Sequence, residues 1–263
     1  FRVKARSFLA ENAQPKAGGD RNLATGADKS GMLAASRPWQ AKKAAAGFAG
    51  ITMAKEYGGQ GLSPIMEVIY RQEEAEFIAP RGVYEIGLGM CIPTMLAYAT
   101  EEQKQRYAGP ALRGEEIWCQ LFSEPAGGSD LAGLRTRADR DGDGDDADWI
   151  INGQKIWTSG AQFSDYGILV TRSDFDAPKH KGLTFFFLSM KSPGIEVRPI
   201  RQASGPANFN EVYFTDVRIP DSQRLGAIGE GWKVSLTTLM NERFAVGVAP
   251  PPDFEEVFDL ARE

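Results

Sequence analysis

The sequence predicts an α+β fold: a helical N-terminal domain, a compact β domain after it, and a returning helix that opens a further helical unit. Three observations carry this. Residues 1–114 hold helix start and stop signals. From about Ile117 the apolar spacing shortens to strand-like runs, and helical spacing returns over about Glu230–Val248. The domain bounds that follow are 1–116, 117–226 and 227–263.

The elements are read in chain order. A first helix is expected over about Phe1–Ala13. Residues 15–31, rich in Gly, Asp, Lys and Ala, are expected to form a loop, mobile unless a partner covers it. Ser63 before Pro64 is an N-cap with proline at the first helical position; Ile65, Val68 and Ile69 then share one face, and Pro80 is expected to close the helix near Ala79. Thr100-Glu101-Glu102-Gln103 is a capping box with both acids at the helix's positive end, and Gly114 is a natural stop after Arg113. Trp149-Ile150-Ile151, Asn152-Gly153 and Gln154–Trp157 read as two strands joined by a type I′ turn. Further strands are expected at Tyr166–Thr171, Leu183–Ser189, Ile195–Ile200 and Phe209–Val217, with Pro250–Pro252 ending the last helix. There is no internal repeat.

Composition narrows the function. Thirty Lys+Arg against thirty-five Asp+Glu give a net charge of -5, so no global basic field favours nucleic acid or anionic lipid. The apolar runs, such as Phe185–Leu188, are too short to span a bilayer. No signal peptide or lipidation motif is visible, although a chain beginning at Phe1 is expected to have lost its natural start. Two cysteines, Cys91 and Cys119, fit a reducing compartment better than a disulfide scaffold. The sole histidine, His180, lies in a polar stretch, which argues against serine-hydrolase triads and His-rich zinc sites. Neither Gly58–Gly61 nor Gly226–Gly231 matches a dinucleotide fingerprint, and no P-loop occurs. The acidic run from Asp139 to Asp148 mimics a calcium loop, but Ile150 stands where the bidentate Glu belongs. A solvated hairpin tip fits it better, and no metal site is assigned.

Three segments carry chemistry. Trp118–Asp130, WCQLFSEPAGGSD, starts as an apolar strand and passes through Gly127-Gly128 to Ser129; it is either a plain strand-to-loop transition or a set of backbone amides open to an anion. In Lys155–Gly160, Trp157 and Ser159 fall on one face by strand alternation: a core Trp with a surface Ser, or a platform for a flat ring. Arg243 continues the spacing Trp232, Leu236, Leu239, so its guanidinium meets either a structural salt bridge or a ligand or second subunit.

Together these segments resemble the acyl-CoA dehydrogenase family. LFSEPAGGSD (Leu121–Asp130) looks like that family's first signature, and NGQKIWTSGA (Asn152–Ala161) is similar to its flavin-contacting segment. AKEYGGQGLS (Ala54–Ser63) resembles its Pro-Lys-Glu-Tyr-Gly-Gly stretch with Ala54 for Pro, and LMNERFAVG (Leu239–Gly247) the start of its C-terminal domain. The resemblance implies a helical N-terminal domain, a β-barrel-like middle domain facing the flavin, and a C-terminal four-helix bundle of which 227–263 is only the start. It places FAD against Gln120, Leu121, Phe122 and Ser123 at the pyrimidine edge, Gly128 and Ser129 at the phosphates, and Trp157, Thr158 and Ser159 at the isoalloxazine. Ser129 and Arg243 would meet the acyl-CoA substrate. Ser159 stands where the family often has Thr and keeps the hydroxyl.

The implied reaction is α,β-dehydrogenation of an acyl-CoA thioester, with electrons passing to an electron-transfer flavoprotein. The family's catalytic Glu belongs to the C-terminal bundle, so no residue here is assigned as the base, and this stretch alone is expected to turn over nothing. A homo-oligomer (tetramer or dimer) is implied, in bacterial cytoplasm in preference to a mitochondrial matrix. The alternatives are an acyl-CoA oxidase or related flavoenzyme on the same fold, and a non-catalytic partner subunit of a heteromeric dehydrogenase.

Overall fold

The computed structural model describes residues 1–16, 29–80, 82–144, 147–203 and 205–246, together with 258, 261 and 262. The helical part comprises α1 (Arg2–Asn12), β1 (Gln14–Pro15), α2 (Lys29–Ala45), α3 (Pro64–Glu74) and β2 (Phe77–Ile78). A π-helical turn (Gly87–Cys91) then runs directly into α4 (Ile92–Tyr98), followed by α5 (Glu101–Arg113). The rest is β3 (Trp118–Leu121), β4 (Arg137–Arg140), β5 (Trp149–Ser159), β6 (Tyr166–Arg172), β7 (Leu183–Ser189), β8 (Ile195–Ile200), β9 (Phe209–Ile219) and α6 (Gly231–Val246). Of the loop expected over 15–31, residues 17–28 lie outside the described residues; Pro15 belongs to β1 and Lys29 opens α2. The Pro250–Pro252 stop also lies outside them.

α5 follows its local signals closely. Gln103 N–H donates to Thr100 Oγ1, Thr100 N–H donates to Gln103 Oε1, and Gly114 takes the left-handed φ of 76° that ends the helix. α3 departs from them. It stops at Glu74, not near Ala79, because Phe77–Ile78 leaves to pair antiparallel with Gln14–Pro15. Its inward face is Tyr70, Glu73 and Glu74; Arg2 and Arg6 of α1 answer Glu73, and Lys43 of α2 answers Glu74. The apolar face is turned outward, with Ile65 56% and Val68 43% exposed.

The β part is a curled, mixed seven-stranded sheet in the order β3-β6-β4-β5-β9-β8, with β7 paired to β6. β3 and β6 run parallel; β6–β7, β4–β5, β5–β9 and β8–β9 are antiparallel. Period-two alternation splits the central strands between two cores. Ile168, Val170, Phe185 and Phe187 pack against Cys91, Ile92 and Met95 of the helical part and Val234 of α6. Leu169, Phe186 and Leu188 pack within the curl against Trp149, Ile151, Val212 and Phe214. Burial on both faces is why Leu183–Ser189 is almost wholly apolar.

The expected Asn152-Gly153 hairpin is not formed: β5 continues through it as one eleven-residue strand. The register against β9 slips between Ile151 and Gly153, making a bulge. Gly153 (φ 150°) is required there because a Cβ would lie 2.7 Å from Thr136 Cα. Asn152, instead of making a turn, exchanges hydrogen bonds with Asp216 at 3.0 and 2.9 Å. The turn falls earlier, in the acidic stretch linking β4 to β5, where Asp141 N–H donates to Asp148 O at 2.8 Å. Arg218 answers Asp141 and Asp148, and Arg137 answers Asp139.

α6 is turned differently from the stripe read off the sequence. Val234, Ser235 and Thr238 face inward, whereas Leu236 and Arg243 are exposed. Hydroxyl pairs Thr94–Thr238 and Tyr98–Thr237, both at 2.9 Å, tie α4 to α6. No helix among the described residues is long and apolar enough to cross a membrane.

Candidate functional site

The two signature-like segments meet where β3 ends beside β5. Ile156 N–H donates to Ser123 O at 2.9 Å, and Lys155 Nζ donates to Phe122 O at 3.0 Å. Leu121 and Phe122 are buried and Ser123 is half-buried. Immediately beyond, Glu124 and Gly127 exchange backbone hydrogen bonds, both at 3.0 Å, closing a tight turn over Pro125-Ala126. Gly128 and Ser129 follow it at the surface, and a Cβ on Gly128 would lie 3.7 Å from Ser123 Oγ.

The turn is held by a charge. Glu124 Oε1 accepts from Lys155 Nζ at 2.8 Å and from Thr136 N–H at 2.8 Å, while Oε2 accepts from Arg135 N–H at 2.6 Å. Lys155 is 0% and Glu124 8% exposed. Burial alone would raise the Glu124 carboxyl, but the charge and hydrogen bond of Lys155 and the donors at Thr136 and Arg135 outweigh it and hold it below the usual carboxylate range. Burial pulls the Lys155 ammonium down to about 8 against the opposing attraction of Glu124.

β5 breaks its alternation here. The register with β9 slips between Lys155 and Thr158, and Trp157 takes a left-handed φ of 59°, a strained conformation for a bulky residue. The bulge breaks alternation between Lys155 and Trp157; beyond it Thr158 is buried while Trp157 and Ser159 are not, as strand alternation expects. Trp157 stands 56% exposed, edge-on to Phe209 at 5.9 Å, and Ser159 is half-buried. Thr158 turns inward, and Asn210 Nδ2 holds its carbonyl at 2.8 Å.

Among the described residues three buried polar atoms near this junction have no hydrogen-bond partner: Thr158 Oγ1, Asn210 Oδ1 and Gln120 Oε1. All three are closed off from the surface. Gln120 Nε2 donates to Glu242 Oε2 of α6 at 3.4 Å. Arg243 is exposed, and among the described residues no hydrogen bond or ion pair joins it to these segments. Gln120, Leu121, Phe122, Ser123, Trp157, Thr158 and Ser159 are thus brought to one junction, with Gly128 and Ser129 on the adjoining turn.

Sequence reasoning passed over Glu124 and Lys155. The signal was present: alternation from Trp149 and Ile151 puts Lys155 on the inward face, where an ammonium demands a carboxylate. Cys119 adjoins Gln120 in β3, and its carbonyl accepts from Cys91 Sγ at 3.4 Å. Both thiols are buried and in no disulfide, and burial pushes Cys119 up to about 12 and Cys91 well above its ordinary value, away from thiolate chemistry.

A helical domain is thus docked on a curled sheet whose two signature-like segments meet beside an exposed indole. Residues 1–115 match the model of the acyl-CoA dehydrogenase N-terminal domain, and residues 119–217 that of the acyl-CoA dehydrogenase middle domain. This chain belongs to the acyl-CoA dehydrogenase family. It is 46% identical over 204 residues to acyl-CoA dehydrogenase FadE34 of Mycobacterium tuberculosis, covering 77% of this chain and 28% of that protein. It is 37% identical to acyl-CoA dehydrogenase IpdE1 of the same organism, covering 92% of this chain and 62% of the relative. The solved structure described as "Tcur3481-Tcur3483 steroid ACAD" superposes with a TM-score of 0.77 at 31% identity, over 99% of this chain and 66% of that one. The chain thus spans less than two thirds of the length of each.

Proposed function

We propose that this chain forms the N-terminal and middle parts of an FAD-dependent acyl-CoA dehydrogenase, with functional units at 1–116, 117–226 and 227–263. The observation that carries the reading is the convergence of both signature-like segments on one junction, where Ile156 is bonded to Ser123 beside an exposed Trp157. An exposed indole with the half-buried Ser123 and Ser159 nearby fits a flavin's ring and polar edge. Gln120–Ser123 would meet its pyrimidine edge, Gly128 and Ser129 its phosphates, and Trp157, Thr158 and Ser159 the ring system. When bound, FAD supplies the two-electron acceptor for the hydrogen leaving the acyl β-carbon.

The chain's own residues do the holding. The Trp157 indole offers an apolar face and the Ser159 hydroxyl a hydrogen bond, with Thr158 turned inward between them. Ser129 and Arg243 would take polar parts of the acyl-CoA. An α-proton of a thioester is weakly acidic, so the base must work in a dry pocket with the carbonyl polarised. The base is assigned to no residue of this chain; the family's C-terminal bundle would supply it. Electrons would pass to an electron-transfer flavoprotein, from a bacterial cytoplasmic homo-oligomer.

A second reading, one subunit of a heteromeric dehydrogenase, is favoured by the two-protein name of the related steroid ACAD. A visible spectrum of protein from the complete reading frame decides. A yellow protein that bleaches when acyl-CoA is added without oxygen is expected. A colourless protein that takes up no offered FAD leaves the partner-subunit reading in its place.

A further inference from the structure

Every residue assigned to the cofactor lies within five positions of one of two buried charges. Glu124 lies within the first segment and opens the turn to Gly128 and Ser129; Lys155 precedes Trp157, Thr158 and Ser159. The two meet at 2.8 Å, and Lys155 also holds the Phe122 carbonyl at 3.0 Å. Glu124 reaches a third element through the amides of Arg135 and Thr136, and Thr136 Oγ1 in turn donates to Gln154 O at 3.3 Å. Two segments that do not neighbour each other in the sheet order are thereby joined by one buried ion pair beside the single backbone bond from Ile156 to Ser123. The strained Trp157 backbone hangs from the same point, because Ile156 N–H is bonded to Ser123 O.

Resting on the flavin reading above, we infer that Glu124 and Lys155 are positioning residues: their ion pair locks the β3 end, the 124–129 turn and the β5 bulge into the one spacing at which both walls meet the cofactor. Neither side chain touches the cofactor in this assignment; each acts through the backbone it holds. The pair is also sealed, with an ammonium and a carboxylate that satisfy each other and the surrounding carbonyl and amides. A purely stabilising role would make its loss a loss of global stability. A positioning role makes it a local loosening of the two walls.

The test uses protein from the complete reading frame with Lys155→Met, which leaves Glu124 its two backbone amides. The companion is Glu124→Gln with Lys155→Met, which removes both charges at nearly constant volume and folds even if the single variant does not. Amide hydrogen exchange of the apoprotein is read at Ser123–Ser129 and Ile156–Ser159 against the central strands β6 and β7. FAD affinity and the vibrational structure of the bound flavin's visible band are read alongside. The expected result is faster exchange confined to the two walls, FAD binding weaker by about tenfold or more, and a blurred flavin band. Unchanged exchange at the walls, exchange rising equally in β6 and β7, or locally faster exchange with unaltered FAD affinity and spectrum would each overturn the inference. If the unsubstituted protein binds no FAD, the flavin reading fails by itself, and with it the cofactor role inferred for the pair, while the exchange data still report whether the pair couples the walls.

Discussion

Two buried cations on interior strands of the sheet are handled in opposite ways. Lys155 is a compact ammonium answered by one carboxylate and one carbonyl. Arg172, at the end of β6, meets no carboxylate among the described residues; its guanidinium donates to the carbonyls of Ala132, Leu134, Lys179 and Asp174 at 2.6 to 3.4 Å. The difference follows from donor geometry. A planar fork of five N–H groups gathers several loop carbonyls and is weakly hydrated, so it is buried on dipoles alone. An ammonium is strongly hydrated and needs a full counter-charge. Arg172 therefore staples loops 131–134 and 173–182 together, whereas the side-chain link that Lys155 makes between two segments rests on a single charge that one substitution removes.

The largest effect that sharpens this contrast is expected at Glu124. Glu124→Gln strands a buried ammonium and should cost about 3 to 5 kcal/mol, read from denaturant unfolding. A loss below about 1 kcal/mol would mean the Lys155 end is wetter than its burial indicates.

Arg172→Lys comes next. Three donors cannot replace the fork, and about 1.5 to 3 kcal/mol should be lost, with faster exchange confined to loops 131–134 and 173–182. An undisturbed stability would remove the distinction drawn between the two cations.

The pH dependence follows from Lys155, whose folded value near 8 lies below its ordinary 10.5. Between those limits the unfolded chain binds more protons, so this group's contribution rises with pH across the window and is lost as pH falls through about 8. Stability curves of the unsubstituted protein and Lys155→Met should diverge in slope there and run parallel near neutrality. Parallel curves throughout would place the ammonium in a more polar setting.

The smallest effect belongs to the rim of the other cation. Exposed Phe175 stacks on Arg137 at 5.1 Å and Arg172 at 5.9 Å, so Phe175→Ala should cost about 0.5 to 1 kcal/mol. A cost several times larger would show that the ring, more than the carbonyls, keeps Arg172 in place.

These contrasts separate what local pattern reveals from what it hides. The α5 capping box and its Gly114 stop rest on residues within one turn of each other, and both stand as the sequence indicates. β7 and β8 fall where their apolar runs begin and end. Ile65 and Val68, by contrast, share a face that points to solvent, because Glu73 and Glu74 are drawn inward by cations on α1 and α2. Asn152-Gly153 carries turn chemistry but sits in a bulge, because Asp216 and Thr136 claim it from elsewhere in the chain.

At the site, the signature-like segments and the family they mark were legible because each depends on its own residue types and spacing. Their meeting was not. Glu124 and Lys155 are 31 positions apart, and nothing local tells an inward lysine which carboxylate it will find. The strained φ of Trp157 likewise arises from β5 being held by Ser123 on one side and β9 on the other. Sequence by itself determined the order and type of the main elements, the capped ends of α5 and the family, because each is written in local residue types and spacing; Ser63, the expected cap of α3, makes no side-chain cap bond. Tertiary structure alone decided which faces are buried, where the sheet bulges and which charges are paired, because those depend on partners that only the folded chain brings within reach.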